Sequence, residues 1–217
     1  MNWRTIAHRG APQKYHENTL PSFAQAIASG ARYIELDVHV TSDDVLLVHH
    51  DPLIVVPTKK IDIGRATQND IALLNLPFVI PTLSEILNLC ALHETVCYVE
   101  VKTKEPRAVE MVLDTAKATN ASIILSSFHH THLELSKQLN ANIPTMALLD
   151  WEQSVPSALI RKGCVDEIGV GDNLLADIKR KDAHALGLPT FIYTVNSPKD
   201  MEKFKTLGFA GVFTDTF

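Results

Sequence analysis

The chain has 217 residues, a net charge of −5, a pI near 6.0 and a mean hydropathy of +0.04. That length suits one soluble domain over 1–217 with a sizeable core, and the mild acidity excludes the basic footprint of a nucleic-acid binder or a polybasic membrane patch. No apolar run approaches the roughly 20 residues that span a bilayer, and Cys90, Cys97 and Cys164, odd in number and without CxxC spacing, read as reduced core residues.

The opening "MNWRTIAHRG" reaches a His-Arg-Gly turn by Gly10 and leaves no space ahead of His8 for the apolar stretch of a signal peptide, so a cytoplasmic protein is expected. From there short runs rich in β-branched and aromatic residues alternate with amphipathic segments. Strands are predicted at 4–8, 33–39, 97–102, 123–127, 145–149, 167–170, 190–194 and 211–214. Helices are predicted at 20–29, 83–93, 107–119, 131–139, 155–162, 176–186 and 199–207. Gly30, Gly187 and Gly208 stand where helices end, Pro106 and Pro198 where they start. Eight βα repeats suit a (β/α)8 barrel or a doubly wound open sheet. Residues 51–82 are too long for a plain βα loop and predict a small insertion after the second strand. The sequence stops three residues after the eighth strand, so the eighth helix is expected to be missing or replaced.

Strand residues alternate sides, so Glu35 and Asp37 of "YIELDVHV" share a face. Two carboxylates facing into a barrel are costly to bury unless a cation neutralises them. Glu100 of "CYVEVKTK" adds a third at the next predicted strand, with Lys102 on its face. An all-oxygen set without a well-placed Cys or His favours one hard divalent cation, Mg2+ or Ca2+, over zinc. His8 and Arg9 end the first strand, where barrel active sites are built, and Gly10 permits a tight turn after them. Arg9 offers a planar fork for phosphate oxygens, while His8, and His50 before Asp51, are suited to exchanging protons near neutral pH. Together these residues supply the ingredients of metal-assisted phosphoryl chemistry.

The order HRG, ENT, ExD, HD and ExK narrows the choice further. "AHRG" followed by "ENTLPSFAQAIASGARYIELDVHVTSDDVLLVHHDP", then "IPTLSEIL", "YVEVK" and the terminal "FIYTVNSPKDMEKFKTLGFAGVFTDTF", resembles the glycerophosphodiester phosphodiesterases over nearly the whole chain. The resemblance implies a TIM barrel with the insertion after strand two. It implies Glu35, Asp37 and Glu100 as metal ligands, His8 as general base and His50 as general acid. Arg9 and Lys102 would bind phosphate oxygens, with Glu17 and Asn18 in support. In the mechanism usually proposed for the family, a glycerol hydroxyl attacks phosphorus, the alcohol leaves and water opens a cyclic phosphate. The expected substrate is a small glycerophosphodiester, with no nucleic-acid partner and no integral membrane association. Rival expectations are a lysophospholipase D or sphingomyelinase D-like activity, using the apolar "LIVV" and "LPFVI" runs of the insertion, and a phosphodiester-binding protein without turnover.

Two departures from the family pattern carry expectations. Asp43-Asp44 replaces the usual Asp-Gly turn, so a left-handed, slightly strained Asp44 is expected. The missing eighth helix leaves a side of the last strand to be covered by neighbouring helices or by a second subunit of a homodimer. His129, His130 and His132 of "SFHHTHL" lack the i, i+4 geometry of a helical metal pair and read as a polar loop. His49 should point away from the side of His50. Phe128, Trp151 and Asn196 fall just beyond strands four, five and seven, where they are candidates to line the pocket mouth, with packing between loops an equal alternative for Phe128 and Trp151.

Overall fold

Alternation along each strand sorts the core into two layers. The computed structural model describes residues 3–57, 59–150, 153–173 and 176–217. In chain order the elements are β1 (Arg4–His8), α1 (Leu20–Ala28), β2 (Tyr33–Val40), β3 (Leu46–Val48), β4 (Leu53–Val56), β5 (Lys59–Asp62), α2 (Gln68–Ala72), α3 (Leu83–Leu92) and β6 (Val96–Val101). They continue with α4 (Arg107–Thr119), β7 (Ile123–Ser127), α5 (Thr131–Leu139), β8 (Thr145–Leu149), α6 (Ser157–Arg161), β9 (Glu167–Gly171), α7 (Ala176–Ala185), β10 (Thr190–Tyr193), α8 (Pro198–Thr206) and β11 (Gly211–Thr214).

Strands β1, β2, β6, β7, β8, β9, β10 and β11 pair in parallel in that order, and β11 pairs back onto β1, which closes a TIM barrel. The open-sheet alternative is therefore removed. Outward residues such as Ile34, Leu36, Val99, Leu125, Ile168 and Val212 pack under the helices. Inward ones, among them Ile6, Tyr98, Ile124, Met146, Phe191 and Phe213, fill the barrel. At its N-terminal end Arg4 donates to the Tyr98 hydroxyl and to Glu167, each at 2.6 Å, and lies over the Phe191 ring. All three cysteines are buried thiols, as a core role requires.

Local chemistry sets the helix starts. Thr19 and Ser197 cap α1 and α8, and Thr82 with Glu85 forms a capping box at α3. The expected helix at 155–162 is shorter, because Pro156 cannot sit inside a helix and α6 begins after it. Gly30, Gly187 and Gly208 all take positive φ just beyond their helices. Asp44 is left-handed at φ +60, as expected, and its carboxylate pairs with Arg107.

The insertion comprises the β4–β5 hairpin, a 3-10 turn and α2 around a small core of Leu47, Ile54, Ile63, Ala66 and Ile71. Its apolar runs are thus partly consumed by packing: Ile54 is buried while Leu53 and Val55 face outward. No helix follows β11 among the described residues, yet that strand is buried throughout. Trp3, Met201 and Phe217 pack on the core nearby, so the chain itself supplies the cover.

The turn after β1 tests the fit of the site to the scaffold. Gly10 has φ +90, and a Cβ there would lie 2.4 Å from Ser22 Oγ and 2.7 Å from its carbonyl carbon. Ser22 bridges the turn, donating to the Arg9 carbonyl and accepting from Ala11 N–H. Gly10→Ala is expected to cost about 3 kcal/mol from left-handed strain and overpacking, a fall of about 6–12 °C in Tm by thermal unfolding. A shift below about 3 °C would show that the turn relaxes freely.

Candidate active site

Three barrel strands and one hairpin deliver the titratable side chains to the C-terminal end of the barrel. β1 brings His8 beside Glu35 of β2, and β2 brings Asp37 beside Glu100 of β6. Glu35, Asp37 and Glu100 are buried and present oxygens that all lie within 4.8 Å of one another. The expected carboxylate set is therefore assembled. β3 runs antiparallel to β2 and carries the chain back to His50.

Two cations offset the three negative charges. Lys102 Nζ stands 3.0 Å from Glu100 and 3.5 Å from Asp37, and Arg9 Nε is 3.3 Å from Asp37. Arg9 also donates to Glu17 at 2.9 Å, so Glu17 acts on the site through the guanidinium. Asn18 turns its amide NH2 to Asp37 at 2.9 Å, which leaves its buried carbonyl oxygen without a donor among the described residues. Arg9 and Asn18 both have left-handed backbone, at φ +54 and +56. These two bends fold the loop back over Asp37, and Asn18 N–H donates to the Arg9 carbonyl.

The electrostatics divide the carboxylates. Burial, with Asp37 and Glu100 close by, pushes Glu35 well above the ordinary carboxylate range. Burial and Asp37 push Glu100 up to about 7. Burial also acts against Asp37, but Lys102, Arg9 and the Asn18 hydrogen bond outweigh it and hold that carboxyl low. Three buried oxygen ligands, two of them holding protons that a cation would displace, and an orphaned amide oxygen fit a hard divalent cation.

Above the carboxylates lies a cavity of about 160 Å³. His8, Arg9, Glu35, His50, Glu100 and Lys102 form its polar wall, while Phe128, Leu148, Tyr193 and Phe213 form the apolar one. A larger groove of about 560 Å³ between α4 and α5 is open and has no histidine among its lining residues. His8 Nδ1 is 2.8 Å from Asp215 and its Nε2 is 3.9 Å from Glu35. His50 Nδ1 is 2.8 Å from Asp51, and burial lowers the pKa of this ring.

Other predicted residues fall in varied places. His49 does not line this cavity and bonds the Asp51 carbonyl. Phe128 lines it, whereas Asn196 is exposed, is not in its lining, and engages Asp215 and Thr214. Trp151 lies outside the described residues. His130 and His132 contact the Leu148 carbonyl and the Ser127 hydroxyl and join no metal-holding group among the described residues. Two residues in the network were not singled out from the sequence as site residues. His39 is buried and its Nε2–H donates to the His50 carbonyl, which holds the hairpin end in place. Asp215 sits in "TDTF", where the signal was an acid just past a barrel strand.

The model of the Glycerophosphoryl diester phosphodiesterase family matches residues 8–217. The chain belongs to this family. A glycerophosphodiester phosphodiesterase of Bacillus subtilis (strain 168) is 28% identical over 97% of this chain and 83% of its own length. A glycerophosphodiester phosphodiesterase structure from Parabacteroides distasonis aligns with TM-score 0.86 and 25% identity over 99% of this chain and 93% of its own. An Oleispira antarctica phosphodiesterase, solved with the product sn-glycerol-3-phosphate, shares the fold with TM-score 0.88 at 21% identity, covering 98% of this chain and 92% of that one. Like the named relatives, this glycerophosphodiester phosphodiesterase family member is an enzyme, and no described helix is long and apolar enough to cross a membrane.

The carboxylate cluster makes cation binding and pH interdependent. Without a cation, the folded chain takes up a proton at Glu100 between its ordinary 4.5 and about 7 that the unfolded chain does not hold. That contribution to stability is present at low pH and is lost as pH rises through this window. A divalent cation replaces the proton, so the rise in Tm on adding Mg2+ or Ca2+ to EDTA-treated protein is expected to be larger near pH 8 than near pH 6. Thermal unfolding at the two pH values checks this, and an equal rise at both would contradict it.

Proposed function

We propose that the chain hydrolyses glycerophosphodiesters to an alcohol and sn-glycerol 3-phosphate, with one divalent cation, Mg2+ or Ca2+, held by Glu35, Asp37 and Glu100. The observation that carries this reading is one cavity that His8, His50, Arg9 and Lys102 line together with Glu35 and Glu100 of the three-carboxylate cluster. When bound by Glu35, Asp37 and Glu100, the cation would supply charge neutralisation at phosphoryl oxygens and Lewis acidity toward the nucleophile. Arg9 and Lys102 bind the remaining phosphate oxygens and hold phosphorus between the two rings.

His8 accepts the proton of the attacking glycerol hydroxyl at Nε2. His50 donates a proton to the oxygen of the departing alcohol, so one proton enters His8 as another leaves His50. In the second half the roles reverse. His50 takes a proton from water as it adds to the cyclic phosphate, and His8 returns its proton to the glycerol oxygen, which restores both rings. The apolar wall around Phe128 and Leu148 excludes bulk water from the cavity and strengthens these contacts. Asp51 on Nδ1 of His50 leaves Nε2 of that ring to face the leaving group.

Release of glycerol 3-phosphate from glycerophosphocholine and glycerophosphoethanolamine tests this reading. Activity is expected with Mg2+ or Ca2+ and not with EDTA. His8→Ala and His50→Ala are each expected to lower kcat by about 10²–10⁴, and Glu35→Gln to raise the cation concentration required. Turnover in EDTA would remove the cation from the scheme. Wild-type kcat in either histidine variant would remove that ring.

A further inference from the structure

The loops after β10 and β11 carry a hydrogen-bond cluster that takes no part in the two proton transfers. Asp215 has one carboxylate oxygen 2.8 Å from His8 Nδ1 and the other 2.8 Å from Asn196 Nδ2. Donor and acceptor identities fix the orientation of Asn196. Its Oδ1 accepts from the Asp215 backbone N–H at 2.7 Å and from the Thr214 hydroxyl at 3.0 Å. A backbone N–H only donates, so the amide NH2 must face the carboxylate. An ionised carboxylate only accepts, so the neutral His8 ring carries its proton on Nδ1 and turns the lone pair of Nε2 to the cavity.

The second histidine lacks this arrangement. Asp51 also meets Nδ1 of its ring, but its side chain is 68% exposed against 28% for Asp215, and among the described residues no second side chain holds it. The stronger constraint is on the ring assigned as base. The His8 hydrogen bond also keeps the Asp215 carboxyl below the ordinary range, consistent with its staying ionised.

We propose that Asp215 is a positioning residue that, held by Asn196, fixes His8 in the tautomer whose Nε2 accepts the proton of the nucleophile. The inference rests on the assignment of His8 as base. The proton passes from the hydroxyl to Nε2, the Nδ1 proton stays on the ring, and Asp215 remains a carboxylate that stabilises the imidazolium.

Asp215→Asn tests the orientation logic because it preserves shape. Asn196 still needs an acceptor for its NH2, so the amide oxygen at position 215 turns to Asn196 and its NH2 turns to His8 Nδ1. The ring proton is then forced to Nε2 and the lone pair leaves the cavity. In protein supplied with Mg2+ and assayed on glycerophosphocholine, kcat is expected to fall about 100-fold or more while KM stays within about threefold. The 15N resonances of His8, recorded where the ring is neutral, should change from the Nδ1–H to the Nε2–H pattern.

The double variant Asp215→Asn with Asn196→Ala separates tautomer control from mere packing. Without Asn196 the amide at 215 is free to turn its oxygen to His8, so kcat should recover about tenfold over Asp215→Asn alone. A structural role predicts a double variant no better than the single one, and that result overturns the proposal. Wild-type kcat in Asp215→Asn, with His8→Ala inactive, also overturns it. Wild-type kcat in His8→Ala instead overturns the base assignment beneath it. Should Asp215→Asn fail to fold, the wild-type spectrum decides: Nδ1–H supports the proposal and Nε2–H overturns it.

Discussion

Three carboxylates brought within 4.8 Å of one another inside a barrel repel strongly, and the upper half of the molecule is arranged around that repulsion. At an effective dielectric of about 20, two unit charges about 4 Å apart interact by about 4 kcal/mol, comparable to much of the net stability of a domain. Arg9 and Lys102 remove part of this cost and Asn18 a smaller part, all three at Asp37. Glu35 and Glu100 receive less help and hold on to protons, which is why the pKa values of neighbouring carboxyls move in opposite directions. A site with that imbalance is predisposed to take a cation in place of the protons.

The other end of the barrel shows the same ingredients in balance. Arg4 meets one carboxylate, Glu167, and Tyr98 donates its hydroxyl to the same group at 3.0 Å. One positive and one negative charge, both hydrogen-bonded, close the floor and leave nothing for a ligand to complete. At the C-terminal end two of the three carboxyls are held toward their protonated forms and Asn18 keeps an orphaned oxygen among the described residues. The left-handed Arg9 and Asn18 belong to the same design, since an extended chain after β1 would carry the guanidinium and the amide away from Asp37.

Much of this was legible in the residues. The predicted bounds of the first, fourth, fifth and eighth barrel strands coincide with those observed, because β-branched runs between Gly and Pro punctuation leave little freedom. The carboxylate cluster followed from alternation along two strands, and His50 was separated from His49 by the same rule. The interior of the insertion was not legible, since its hairpin and short helix are stabilised by a local core built on Leu47 of β3. His39 was passed over because its role is a hydrogen bond to a backbone carbonyl, and a backbone partner leaves no mark in a sequence.

What the amino-acid sequence by itself determined is local: which side chains share a strand face, where helices start, and that carboxylates stand near histidines along the chain. Period-2 geometry places Glu35 with Asp37 and needs no tertiary information. Only the closed barrel decided that His8 meets Asp215, 207 residues later, because the two strands that carry them pair only when β11 returns to β1. Asn196, just beyond a third strand, is brought by the same closure into hydrogen-bond contact with Asp215. Pairing across the closure is set by the strand count and register of the whole sheet, and no local pattern encodes it.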